Sequence, residues 1–233
     1  MKSFFLTSEF KNIDFINEAV LDAGKSYEIV SGEIKKETKT FEEVARLVIS
    51  KLEGGYYNPK IHNTGDSRYS TSGETMFGID RIAGGTTNTS TQGKAFWDRV
   101  DKARDNKLWR WNYIPPDPLQ KELVDLAIKV IKPEYGKLAN KFLSDKNVRA
   151  TVEGDGRLFF NFVYAVWNGG GWFQGWAAEV SKAYKNGTTK SEDLLKLVVS
   201  RRVNNRNVLI RGNSQNSLIA QGGIKIKELV GLK

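Results

Sequence analysis

Two short stretches hold residue types that could do chemistry together: Glu53-Gly54-Gly55-Tyr56-Tyr57-Asn58 and Ser72-Gly73-Glu74-Thr75-Met76-Phe77-Gly78-Ile79. A carboxylate at the end of an apolar helix is open to partial desolvation, which disfavours its charged form. A carboxyl group that keeps its proton near neutral pH can act as a general acid and protonate a glycosidic oxygen. The paired glycines leave space beside Glu53 for a bulky sugar chain, and Tyr56 and Tyr57 offer flat faces for sugar packing. Position alone also fits a glutamate that ends a helix and has no further task.

The elements that must position these residues are partly legible. Thr40 followed by Glu43 is a capping box, in which hydroxyl and carboxylate satisfy free amides of a first helical turn. Val44, Leu47, Val48 and Leu52 recur at three- and four-residue spacing, predicting a helix from Phe41 to Leu52 with one apolar face. Gly54-Gly55 stops it and leaves Glu53 at its end. Residues 54–90 are rich in Gly, Ser, Thr and Asn and read as loop and turns with short strands. A long irregular segment of this kind is often functional. Helical patterns follow at Gln92–Arg104 and from Pro118, where Asp117 is the expected cap and Leu119, Leu123, Leu126 and Val130 the apolar face. Further helices are expected over Leu158–Val166, Phe173–Lys185, Glu192–Val203 and Ser214–Ala220. Residues 13–21 suggest a short helix and 27–36 a strand or extended lead-in. Pro115-Pro116 marks a possible seam between lobes.

Composition excludes several chemistries. The 233-residue chain has no cysteine, so it has neither disulfides nor a thiolate metal site. Its single histidine, His62, rules out a multi-histidine zinc site. The net charge of +9 suits a polyanionic partner, but the basic residues are scattered and form no nucleic-acid motif. Gly169-Gly170-Gly171 lacks the Lys-Ser/Thr of a phosphate loop and reads as a helix–helix turn, and Glu153-Gly154-Asp155-Gly156 lacks a calcium-loop pattern. Of the six tryptophans, Trp172, beside the glycine run, is the chosen sugar-contact candidate; core packing is the alternative for each.

Glu53-Gly54-Gly55-Tyr56, Asn58 and the later Gly73-Glu74-Thr75-Met76-Phe77-Gly78-Ile79 together resemble the phage and bacterial muramidases of glycoside hydrolase family 108. More distantly they are similar to phage-type lysozymes. The resemblance covers residues 44–80, with weaker likeness at Phe96-Trp97-Asp98 and at 160–170. It implies that Glu53 is the catalytic acid and that Thr75 helps position the attacking water. Tyr56, Tyr57 and Asn58 are the expected substrate-binding residues. Where the family has Asn-Asp after the tyrosine, this chain has Asn58-Pro59 and a longer loop. The second carboxylate is therefore open between Asp66, the first choice, and Glu74. Its separation from Glu53 would distinguish inverting chemistry, at about 6.5–9.5 Å, from retaining, at about 5–5.5 Å.

The expectation is a mainly α (α+β), lysozyme-like fold with a small β or irregular element after the Glu53 helix. Residues 1–39 form a lead-in, and 40–233 a catalytic domain whose helical part begins near 116. The expected activity is hydrolysis of peptidoglycan glycan strands by a monomer that needs no cofactor or metal, binds no nucleic acid and does not insert into a membrane. Polar Thr7-Ser8-Glu9 follows Met1–Leu6 too soon for a secretory apolar region. The expected location is thus the host cytoplasm before lysis, or a virion. A lytic transglycosylase and a non-catalytic wall-binding or virion protein are the rivals.

Overall fold

Helix α1 (Phe41–Lys51) begins at the expected box: Thr40 Oγ1 accepts from the Glu43 amide at 3.2 Å, and Glu43 Oε2 from the Thr40 amide at 2.9 Å. Val44, Ala45, Val48 and Ile49 are buried along one face. The computed structural model describes residues 34–37, 40–58, 73–81, 90–105, 107–167, 170–203 and 226–232. Asp66, His62 and the patterns at 13–21 and 214–220 lie outside these residues. Of the strand or extended lead-in expected at 27–36, only Ile34–Lys36 is described, and it belongs to no strand.

The chain divides into two compact units, Met1–Ser26 with Arg46–Glu134 and Tyr27–Ala45 with Tyr135–Lys233. Among the described residues, the boundaries at 45/46 and 134/135 fall inside helices, not at Pro115-Pro116. In the first unit, β1 (Thr75–Met76) and β2 (Ile79–Asp80) form an antiparallel hairpin in the register Thr75↔Asp80, Met76↔Ile79. The two turn residues, Phe77 and Gly78, have φ of 51° and 70°. Positive φ at both centres is what a tight hairpin turn needs to match strand twist. Helix α2 (Thr91–Arg104) starts where Ser90 Oγ accepts from the Gly93 amide at 2.9 Å, and it buries Phe96, Trp97 and Val100. Helix α3 (Leu119–Phe142) begins after Pro118 and runs on through Pro133, whose ring lies on the exposed side.

In the second unit, α4 (Lys146–Gly154) is capped by Asp145, whose Oδ1 accepts from the amides of Asn147 and Val148. The sequence pattern did not suggest this helix. Helix α5 (Gly156–Trp167) is apolar almost all round, which only a surrounded helix tolerates. It packs against α4, α6 (Gly170–Lys185) and α7 (Ser191–Val203). Tyr135, Phe159, Phe173, Phe162 and Trp176 meet edge to face with centroids 5.2–6.3 Å apart. Of Glu153-Gly154-Asp155-Gly156, Asp155 alone joins α4 to α5; its neighbours are helical. Helix dominates the described residues and the sheet is one short hairpin, as the sequence predicts. No described helix is long and apolar enough to cross a membrane.

Asp155 ties this unit together. It is 1% exposed, accepts from the Arg157 guanidinium at 2.8 Å and from the Ser191 hydroxyl at 2.7 Å, and so links the start of α5 to the start of α7. Burial pushes its pKa up, but the Arg157 and Ser191 hydrogen bonds outweigh that and hold it below the ordinary value. Asp155→Ala leaves Arg157 with Glu192 alone and should cost about 3 kcal/mol. Urea denaturation at pH 7 measures this, and a loss under about 1 kcal/mol would show that the Glu192 pair suffices.

Candidate active site

Helix α1 closes on a single acceptor: the amides of Leu52 and Glu53 both donate to the Val48 carbonyl, at 2.9 and 3.2 Å. Glu53 is therefore the point where the chain leaves the helix, and it is half-buried there. The residues that follow run extended and are bonded on both edges. On one edge the Gly55 amide donates to Asn112 Oδ1 at 2.8 Å, the Tyr56 amide to the Tyr113 carbonyl at 3.0 Å, and the Asn112 amide to the Tyr56 carbonyl at 2.8 Å. On the other, Tyr57 and Thr75 exchange both backbone bonds at 2.8 and 2.9 Å, and the Phe77 amide donates to the Gly54 carbonyl at 3.0 Å. The hairpin tip is thus fastened to the residue next to Glu53.

This geometry revises the roles expected for the glycines and tyrosines. A Cβ on Gly55 would meet the Tyr113 carbonyl oxygen at 2.6 Å, so close backbone approach demands glycine there; Gly54 is exposed and less crowded. Tyr56 is completely buried and packs edge-on to Trp109 at 5.7 Å, so its ring has no face to offer a sugar. Tyr57 is 8% exposed, which leaves little of its ring for stacking. Trp172 belongs to the second unit, where it is half-buried against Trp176.

Glu74, one candidate second carboxylate, is bound up in a charged network. Its Oε1 accepts from the Tyr56 hydroxyl at 2.5 Å, Arg104 Nη1 at 2.6 Å and Asn58 Nδ2 at 3.2 Å, and its Oε2 from Arg81 Nη1 at 2.5 Å. Asp101 bridges the two arginines from α2. Burial raises the Glu74 pKa, but the bonds from Tyr56, Arg104 and Arg81 prevail and hold it below the ordinary carboxylate value. A carboxylate so stabilised is a weak base and does not hold a proton to give. Asn58, expected at substrate, is a hydrogen-bonding member of the same network.

Thr75 lies on the opposite face. Strand alternation sends Glu74 and Arg81 to one side of the hairpin and the cross-strand pair Thr75 and Asp80 to the other. The Thr75 hydroxyl donates to Asp80 Oδ1 at 3.0 Å. Burial pushes the Asp80 carboxyl above its ordinary value despite the opposing Thr75 bond. Sequence reading did not join Asp80 to Thr75, nor the 109–113 segment to Tyr56. Only the local density of tryptophan hinted at the latter. Among the described residues, no group of three or more His, Cys, Asp or Glu side chains is placed to hold a metal ion.

None of the comparisons with family models, curated proteins or solved structures gave a match.

Glu74→Gln removes the anion from between two arginines and should cost about 2–3 kcal/mol at pH 7. Because the folded-state pKa is depressed, the stabilisation is complete above the unfolded carboxylate pKa and lost as pH falls through the folded one. The gap between wild type and variant in chemical denaturation should therefore narrow below about pH 4. A gap independent of pH would mean that side-chain shape, not charge, is what matters.

Proposed function

We propose that the protein is a muramidase with a lysozyme-like fold, hydrolysing peptidoglycan glycan strands between N-acetylmuramic acid and N-acetylglucosamine. One observation carries this reading: the Phe77–Gly54 backbone bond ties the hairpin that bears Thr75 to the residue that follows the helix-end Glu53. The family 108 resemblance in residues 44–80 assigns those same two residues to proton donation and to water.

The chemistry follows from these roles. Glu53 gives its proton to the glycosidic oxygen as the bond from that oxygen to the anomeric carbon breaks. Positive charge develops on the sugar ring, and water attacks its other face. Thr75 orients that water. The Glu74 network keeps the hairpin in place but touches neither reacting atom. The +9 net charge favours residence on an anionic wall polymer.

Purified peptidoglycan should clear with wild type and release reducing muramic acid ends by mass spectrometry. Glu53→Gln should lower the rate by at least about 100-fold, the scale of general-acid catalysis. Anhydro-muramic ends would select the transglycosylase rival, and sedimentation with wall but no released sugar would select the binding-protein rival. Clearing by wild type should also slow as salt rises from about 0.05 to 0.5 M, because screening shortens the reach of surface charge. A flat salt profile would remove the electrostatic part of the proposal.

A further inference from the structure

We propose that Asp80 is the second carboxylate of this site, holding the attacking water through the Thr75 hydroxyl and taking up its proton by the same route. The inference rests on the glycan-hydrolysis reading above and deepens it: Asp80 is a positioning residue that works through Thr75.

A hydroxyl has one proton, and an ionised carboxylate only accepts. With the Thr75 proton committed to Asp80 Oδ1 at 3.0 Å, the remaining capacity of Thr75 Oγ1 is as an acceptor. A water at Thr75 must then donate to Oγ1, which leaves its lone pair free to point at an anomeric carbon. An uncommitted threonine would bind water in either sense. The pair is fixed by register, since Thr75 and Asp80 are directly opposite each other across the hairpin.

The charged surroundings suit a base. From the strands, Glu74 and Arg81 flank the pair in sequence but face the other side of the hairpin, where Arg81 and Arg104 bind Glu74 and Asp101. From α2, Trp97 approaches with its indole N–H 3.4 Å from the Asp80 carbonyl. The arginines thus lower the basicity of Glu74, while burial raises that of Asp80.

The step balances. The water oxygen bonds to the anomeric carbon as the bond to the leaving oxygen breaks, and Glu53 gives that oxygen a proton. One proton of the water passes to Thr75 Oγ1 as the Thr75 proton passes to Asp80 Oδ1. Glu53 ends ionised and Asp80 protonated, exchange with solvent resets both, and the product has inverted configuration.

The test is the pH–rate profile of peptidoglycan hydrolysis for wild type, Glu53→Gln, Asp80→Asn, Thr75→Ala and Thr75→Ser, with wall pelleting as the binding control. The expected result is that Asp80→Asn loses at least about 100-fold in rate, keeps wild-type pelleting and loses the acid limb of the profile. Thr75→Ala should lose the same limb, Thr75→Ser should keep it, and Thr75→Ala with Asp80→Asn should be no slower than either alone. If Asp80→Asn fails to fold, the Thr75 pair still decides: Thr75→Ala with an intact acid limb overturns the proposal. An intact limb in Asp80→Asn alongside an inactive Glu53→Gln overturns it too and leaves the muramidase reading standing. No product from wild type overturns both.

Discussion

The extended run Gly54–Tyr57, hydrogen-bonded along both edges, is the constraint on which the first unit depends. It emerges where α1 ends and pairs with residues 112–113 on one side and with residues 75 and 77 on the other. Backbone bonds in this arrangement fix direction as well as distance, so the hairpin cannot shift without breaking several at once. Phe77 reflects the same constraint: it holds a left-handed φ of 51°, unfavourable for a bulky residue. Its buried ring and its amide bond to Gly54 offset that strain.

Pairing also divides the hairpin into two chemically different faces. One carries Glu74 and Arg81 into a network closed by Arg104, Asp101 and Tyr56, where each formal charge meets its opposite. The other carries Thr75 with Asp80, a carboxylate that accepts from a hydroxyl. A one-residue slip of register would exchange the faces. The Phe77-Gly78 turn is therefore as important to the site as any side chain in it.

What was legible in the sequence was local. The Thr40–Glu43 box, the apolar face of α1 and the patterns of α2, α5, α6 and α7 depend on residues three or four apart. Helix α4 escaped because its buried face rests on little more than Val148 and Val152. The apolar face of α3 was read as far as Val130; the helix runs on through Pro133, which sits on its exposed side. In the candidate site, Glu53 and Thr75 stood out by motif. The burial of Tyr56 did not, because its partner strand is 57 residues away at Gly55–Asn112. The partnership of Asp80 with Thr75 was hidden because it depends on a two-residue turn at Phe77-Gly78, and Phe77 gives no turn signal. The glycines were recognised, but at Gly55 for the wrong reason: the backbone of Tyr113 fills the space that a sugar was expected to use.

The contrast between Glu74 and Asp80 bears on which reaction the proposed site would favour. A transglycosylase needs an acid and must keep water from the anomeric carbon. A hydrolase needs the acid and a group that holds water with a defined polarity. A threonine whose only proton is bonded to a carboxylate has that polarity built in, whereas a carboxylate clamped by Arg81 and Arg104 is already saturated. On the proposed reading, the Thr75–Asp80 pair favours hydrolysis over transglycosylation, and the Glu74 network supplies the stiffness that keeps the pair in register.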